Sequence, residues 1–252
     1  MLLDVNKLEE RDFKNTYTEI FAQADTWKDV YSLYEERKAD IEKFLANFDE
    51  NSKVIFTGAG TSEYVGNVAC DYLKTHGGYD FESVATTDLV SAPYLHFKKD
   101  QKTLLVSFAR SGNSPESIAA VELGKQFVDD FYNLPITCAK EGKLAVNLKD
   151  DENSYVFLNP EITNDKGFAM TNSFSSMLLA TLLIFDTTID NKKEIVDKVS
   201  AIAKETYDRA EEIEKMVNFD FDRVAYLGSG PLGKLTKEAR LKILELTAGE
   251  VT

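Results

Sequence analysis

Ser107, Arg110, Ser111, Gly112, Asn113 and Ser114 fall within LLVSFARSGNSPES, residues 104–117, where an apolar run suited to a buried strand breaks into polar residues before Ser-Pro-Glu opens a helix. Such a turn suits an anion. The N–H groups at a helix N-terminus lack intrahelical acceptors and sit at the positive end of the helix dipole, so a phosphate placed there answers both deficits. Hydroxyls and the Asn113 amide add donors, and Gly112 permits a positive φ or a close backbone approach. A second junction of this kind, KVIFTGAGTSEYVG at 53–66, runs from strand to helix through Gly58, Gly60, Thr61 and Ser62. Capping alone would explain one such turn, but two on one parallel sheet favour a shared phosphate, because ligands of open α/β sheets sit beyond the carboxyl ends of the strands. Glu63 stands where a GxGxxG motif would carry its last Gly, and no GxxxxGK[ST] occurs, which weakens dinucleotide and P-loop readings.

The elements that must hold these loops follow from periodicity. Five short apolar segments at 54–58, 83–87, 104–108, 135–139 and 155–159 predict strands, with helices at 62–75, 115–128 and 168–186 between or after them. That alternation predicts an α/β, three-layer, doubly wound parallel sheet of flavodoxin-like type over 51–190. Before it, Trp27, Val30, Leu33, Tyr34, Ile41, Phe44, Leu45 and Phe48 recur at helical spacing, so residues 1–50 read as an N-terminal helical segment with an amphipathic helix at 26–48. Residues 191–217 predict a further long amphipathic helix that seals the domain or links it to a second one, as a linking segment at 191–219. DRVAYLG at 222–228 predicts another strand, leading through Ser229–Leu232 into LTKEARLKILELTAGEVT. This repeats the outline of 54–75, so 220–252 read as the beginning of a second copy of the domain, and the chain as the N-terminal piece of a longer protein. A complete one-domain protein is the alternative.

With 252 residues and 43% hydrophobic content the chain can bury a large core. No run of about 18 apolar residues offers a membrane span, and MLLDVNKLEERDF lacks a signal-peptide core, so the expected location is cytoplasmic, with no membrane partner. A formal charge of −14 without a basic cluster argues against nucleic acid. A small phosphorylated ligand is compatible with it, since net charge is screened beyond about 8 Å. Cys70 and Cys138 lack CxxC spacing and fit a reducing compartment, and the two histidines, His76 and His96, have no metal-ligand partners nearby, so no metal is expected.

FTGAGTSEYVG (56–66), VSFARSGNSPES (106–117), FAMTNSFSSMLL (168–179) and LGSGPLGKLTKEARLKILELTAGEV (227–251) together resemble the sugar isomerase (SIS) domain, and more closely the tagatose-6-phosphate ketose/aldose isomerase family, which includes galactosamine-6-phosphate deaminase/isomerases. The resemblance covers nearly the whole chain. It implies a five-stranded parallel SIS fold in tandem copies, no cofactor, a sugar-phosphate substrate, and a homodimer or higher assembly. It implies phosphate binding by Ser62, Ser111 and Ser114, with Thr61, Ser107, Arg110 and Asn113 beside them and Gly60, Gly112 and Lys242 in support. Where related glucosamine-6-phosphate synthase domains have Ser at the start of SxSGxT, this chain has Ala109, a loss that Arg110 or Ser107 could offset. Glu245, three residues after Lys242, matches the carboxylate that moves a proton between C1 and C2. Leu244 and Leu246 flank it and would raise its pKa, although an ordinary i, i+3 Lys–Glu pair is the plain alternative. The family's ring-opening His matches neither His76 nor His96 and is expected beyond residue 252, leaving these residues alone inactive. The implied activity is conversion of galactosamine 6-phosphate to tagatose 6-phosphate with release of ammonia. A non-catalytic sugar-phosphate sensor is the rival reading.

Overall fold

Residues 13–218, 221 and 223–251 are described here from a computed structural model; the start of the N-terminal segment, 1–12, lies outside the described residues. The first helix, α1 (Lys14–Leu45), begins well before the expected 26 and turns Val30, Tyr34 and Ile41 into the core. The chain then alternates: β1 (Lys53–Gly58), α2 (Thr61–Leu73), β2 (Asp80–Ala85), α3 (Thr86–Ser91), α4 (Pro93–His96), β3 (Thr103–Ala109), α5 (Pro115–Phe127), β4 (Phe131–Thr137), α6 (Lys143–Leu148), β5 (Phe157–Leu158) and α7 (Asn172–Phe185). The strands form one parallel five-stranded sheet in the order β2-β1-β3-β4-β5. This is the doubly wound topology expected, and its order reverses between β1 and β3.

Alternation along the strands separates the two helical layers. Val54, Phe56, Leu104, Val106 and Phe108 pack with α1, α2 and α7. Ile55, Leu105 and Ala109 pack with α3, α5 and α6.

Several boundaries differ from the sequence reading. The second strand ends at Ala85, because Thr86 and Thr87, β-branched and so strand-like in sequence, open α3. The fourth strand starts at Phe131 rather than 135. Asn133 exchanges backbone hydrogen bonds with Asn153 and Tyr155, and Asn159 N donates to Thr137 O. Alternation therefore turns the missing N–H of Pro135 toward the short fifth strand, where one lost ladder bond is tolerated.

The expected helix at 191–217 is two, α8 (Lys192–Asp208) and α9 (Ala210–Val217), broken at Arg209, whose guanidinium pairs with Glu212. The first, α8, lies along α1, as a helix that seals the domain would: Tyr207 Oη donates to Ile20 O at 2.9 Å and Lys204 meets Asp25 at 2.5 Å. The strand expected at 222–228 is absent among the described residues. Arg223–Ser229 has no ladder partner, and Leu227 is 93% exposed. An apolar run becomes a strand only where another strand offers its backbone groups. The final helix, α10 (Gly230–Leu246), packs against α2.

Candidate functional site

β1 and β3 are neighbours, so the turns after them open side by side where the strand order reverses. After β1, Gly60 takes φ 58° and ψ −128°, a backbone that residues with a Cβ avoid, and α2 starts at Thr61. After β3, Gly112 takes φ 64° and Ser114 is the N-cap of α5, with Pro115 inside its first turn. No protein acceptor among the described residues takes the N–H of Ser111, Gly112, Asn113 or Ser114, nor those of Gly60 and Thr61. Consecutive unclaimed amides beside a positive-φ residue, together with two helix N-termini, form a concavity of positive potential suited to an anion.

The expected phosphate-binding side chains divide by what they already hold. Ser62 and Ser111 make no side-chain hydrogen bond among the described residues. Ser114 Oγ lies 2.6 Å from Ser117 Oγ, and Asn113 Oδ1 accepts from Lys143 N at 3.1 Å, bracing the turn against α6. Ser107 lies within β3, inside the strand expected at 104–108, opposite Thr57 and Pro135 and 3% exposed, rather than in the turn. Arg110 is not splayed toward solvent. Its Nη1 donates to the carbonyl of Asp165, tying the turn to the loop before α7. That loop is pinned in turn by Glu19 of α1, whose carboxylate accepts from Lys166 N and Gly167 N, and by Asp165 Oδ2, which accepts from Thr171 N, Ser173 N and Ser173 Oγ.

Thr61 is buried and faces α10. It donates to Glu238 Oε1 at 3.3 Å and accepts from Lys242 Nζ at 3.1 Å. Lys242 Nζ lies 2.6 Å from Glu245 Oε2 and 3.3 Å from Glu238 Oε1. The i, i+3 Lys–Glu pair therefore forms, yet not on a solvated face: its side chains are 16% and 20% exposed. The apolar enclosure expected around Glu245 is found elsewhere. Leu244 and Leu246 are 41% and 48% exposed. The enclosed carboxyl is Glu238, which burial pushes above the ordinary range while Lys242 and Thr61 hold it down. Glu238 Oε2 is buried without a hydrogen-bond partner. Sequence reasoning passed over this residue, although its spacing to Lys242 and Glu245, i, i+4 and i+7, marks one helix face.

Other reactive groups lie apart from these turns. Cys138 is buried and its thiol is pushed up to about 12, and Cys70 is likewise raised by burial, so neither is a ready thiolate. His76 stacks on Tyr72, and His96 Nδ1 lies 3.0 Å from Glu82 Oε1. Among the described residues no group of three or more His, Cys, Asp or Glu side chains is arranged for a metal ion. A cavity of about 880 Å³ lies between α1 and the 184–197 segment, lined by Tyr34, Phe48, Tyr79 and Lys192 rather than by the turns.

Residues 48–186, which carry the sheet and both turns, match the SIS domain family. The chain belongs to that family. It is 40% identical to the D-galactosamine-6-phosphate deaminase AgaS of Shewanella sp. (strain ANA-3), over 100% of this chain and 65% of that protein. A crystal structure of tagatose-6-phosphate ketose/aldose isomerase from Escherichia coli superposes with a TM-score of 0.86 at 38% identity, covering 93% of this chain and 65% of that one. A Clostridium novyi NT protein provisionally given the same enzyme name superposes with a TM-score of 0.91 at 43% identity, covering 98% of this chain and 64% of that one. This SIS chain thus spans just under two thirds of the length of these relatives.

Proposed function

We propose that the protein is a sugar-phosphate aldose–ketose isomerase/deaminase that converts galactosamine 6-phosphate and water to tagatose 6-phosphate and ammonia. The names borne by its relatives support the substrate class. The observation that carries the reading is the contact of Thr61, first residue of the helix behind one phosphate turn, with the Lys242–Glu245 pair. Phosphate recognition and a carboxylate suited to proton transfer thereby share one wall.

In this reading the hydroxyls of Ser62, Ser111 and Ser114, with the unclaimed amides of Gly60, Thr61 and residues 111–114, hold the phosphate. The positive potential of both helix N-termini adds to their hold. Glu245 takes the C2 proton of the open-chain aldehyde and returns it to C1, through an enolamine. Lys242, whose Nζ lies 2.6 Å from that carboxylate, offsets the charge that develops as the proton moves. The C2 imine so formed is hydrolysed by water, which releases ammonia and leaves the ketone. No electron leaves the substrate, so the isomerisation needs no redox cofactor.

Ring opening asks for a His that neither His76 nor His96 supplies near these groups. Residues 1–252 alone are therefore expected to bind sugar phosphate without turnover. A cytoplasmic, homodimeric protein belongs to the same reading. No helix among the described residues is long and apolar enough to cross a membrane, and Ile195, Val199 and Ile202 of α8 are exposed for an apolar contact.

The test is Glu245→Gln in a form spanning the full length of the relatives. Turnover is expected to vanish with phosphate affinity nearly unchanged, and surviving turnover would show that another group is the base. Ligand-dependent stabilisation without turnover in that longer form would favour the sensor.

A further inference from the structure

Glu238 has no part in the chemistry just described, yet it is the costliest side chain at the contact between α2 and α10. A carboxylate 4% exposed, with one oxygen unpartnered, survives in a fold only if its neighbours or a proton compensate it. The groups acting on it are Lys242 and Glu245 of its own helix and the Thr61 hydroxyl of α2. The other ionisable side chains of α2 along this contact are engaged elsewhere: Tyr64 lies under Lys237 Nζ, 6.0 Å from its ring centroid, Asp71 lies 3.9 Å from Lys234, and Glu63 accepts from Asn67.

We propose that Glu238 is a positioning residue that takes up a proton when an anion occupies the turn before α2, the signal passing through Thr61. The inference rests on the phosphate-site reading above. Thr61 stands between two claims. Its N–H, with no protein acceptor, faces the turn, and its hydroxyl is the single neutral donor to Glu238, at a long 3.3 Å. An anion drawing on Thr61 weakens that donation and sets a second negative charge beside Glu238, and both changes favour the protonated carboxyl. Once neutral, Glu238 releases its share of Lys242. Glu245, already its nearer partner at 2.6 Å, is then the one charged group among the described residues that the ammonium pairs with, and the two are held together while substrate is present. Of the two carboxyls on this ammonium, Glu238 is the one that takes the proton, because it is the buried one and one of its oxygens has no partner.

Isothermal titration of the 252-residue chain with inorganic sulfate tests this, since sulfate does not titrate in the working range, with inorganic phosphate and galactose 6-phosphate in parallel. Run in two buffers of different ionisation enthalpy, wild-type protein is expected to take up a proton on binding, up to about one per anion, and its affinity to fall by at most about tenfold per pH unit as pH rises. Glu238→Gln is expected to bind sulfate with neither effect. Thr61→Val is expected to bind more weakly and to lose the uptake as well, which keeps the test intact if the Gln variant does not fold. A merely structural Glu238 would leave no proton signature to lose. Binding with equal uptake in wild type and Glu238→Gln, or binding by wild type with no uptake, overturns the proposal while sparing the phosphate site. Failure of all three anions to bind wild type overturns both.

Discussion

Replacing Lys242 by Met removes the cation that three oxygens share while keeping most of the apolar stem. Lys242 Nζ lies 2.6 Å from Glu245, 3.1 Å from Thr61 Oγ1 and 3.3 Å from Glu238. Breaking a buried ion pair costs about 3–5 kcal/mol, but Glu245 at 20% exposure can turn to water, so its share is discounted. Glu238, at 6% side-chain exposure, cannot. Its escape is protonation, each pH unit of which is worth about 1.4 kcal/mol. The sign follows from its raised pKa: the folded value lies above the unfolded one, so stability is fully present below the unfolded value and is lost as pH rises through the folded value. Lys242 now holds that folded value down. Without it the loss reaches further up the pH scale, and Lys242→Met is expected to cost about 2–3 kcal/mol near pH 8 but under about 1 kcal/mol near pH 5. Urea unfolding followed by far-UV circular dichroism at both pH values, with amide exchange across α10, reads the difference. An equal cost at both would refute the assignment of Glu238 as the buried, proton-seeking carboxyl.

The remaining expectations are simpler. Ser62→Ala and Ser111→Ala should each weaken inorganic phosphate binding by about 1.5–3 kcal/mol, measured by titration calorimetry, if their unclaimed hydroxyls meet the anion. Unchanged affinity in both would move the anion away from these turns. Gly58→Ala should lower the unfolding midpoint by the equivalent of about 2 kcal/mol or more and abolish phosphate binding, because a Cβ there would stand 2.5 Å from the backbone of Ser62. Glu19→Ala strips the acceptor from the amides of Lys166 and Gly167 and should cost about 1–3 kcal/mol, with faster amide exchange confined to the loop before α7.

Local chemistry determined much of this protein before any coordinates. Apolar runs with period two, helices between them, and hydroxyl-rich turns at strand ends are short-range facts, and they led to the parallel sheet, its class and the two turns at the ends of β1 and β3. Family resemblance singled out Glu245 and Lys242. What the sequence could not carry is whatever depends on a partner distant along the chain. Whether 222–228 becomes a strand depends on a neighbouring strand, and none is offered among the described residues. Arg110 looked free for a ligand until Asp165, 55 residues later, was brought against it. The same holds for the carboxyls of α10: from sequence Glu245 between two leucines looked enclosed, whereas docking on α2 left those leucines exposed and sealed Glu238 instead. Helical spacing fixes which residues share a face, but burial, and with it the proton affinity of a carboxyl, is decided only by what the tertiary structure lays against that face.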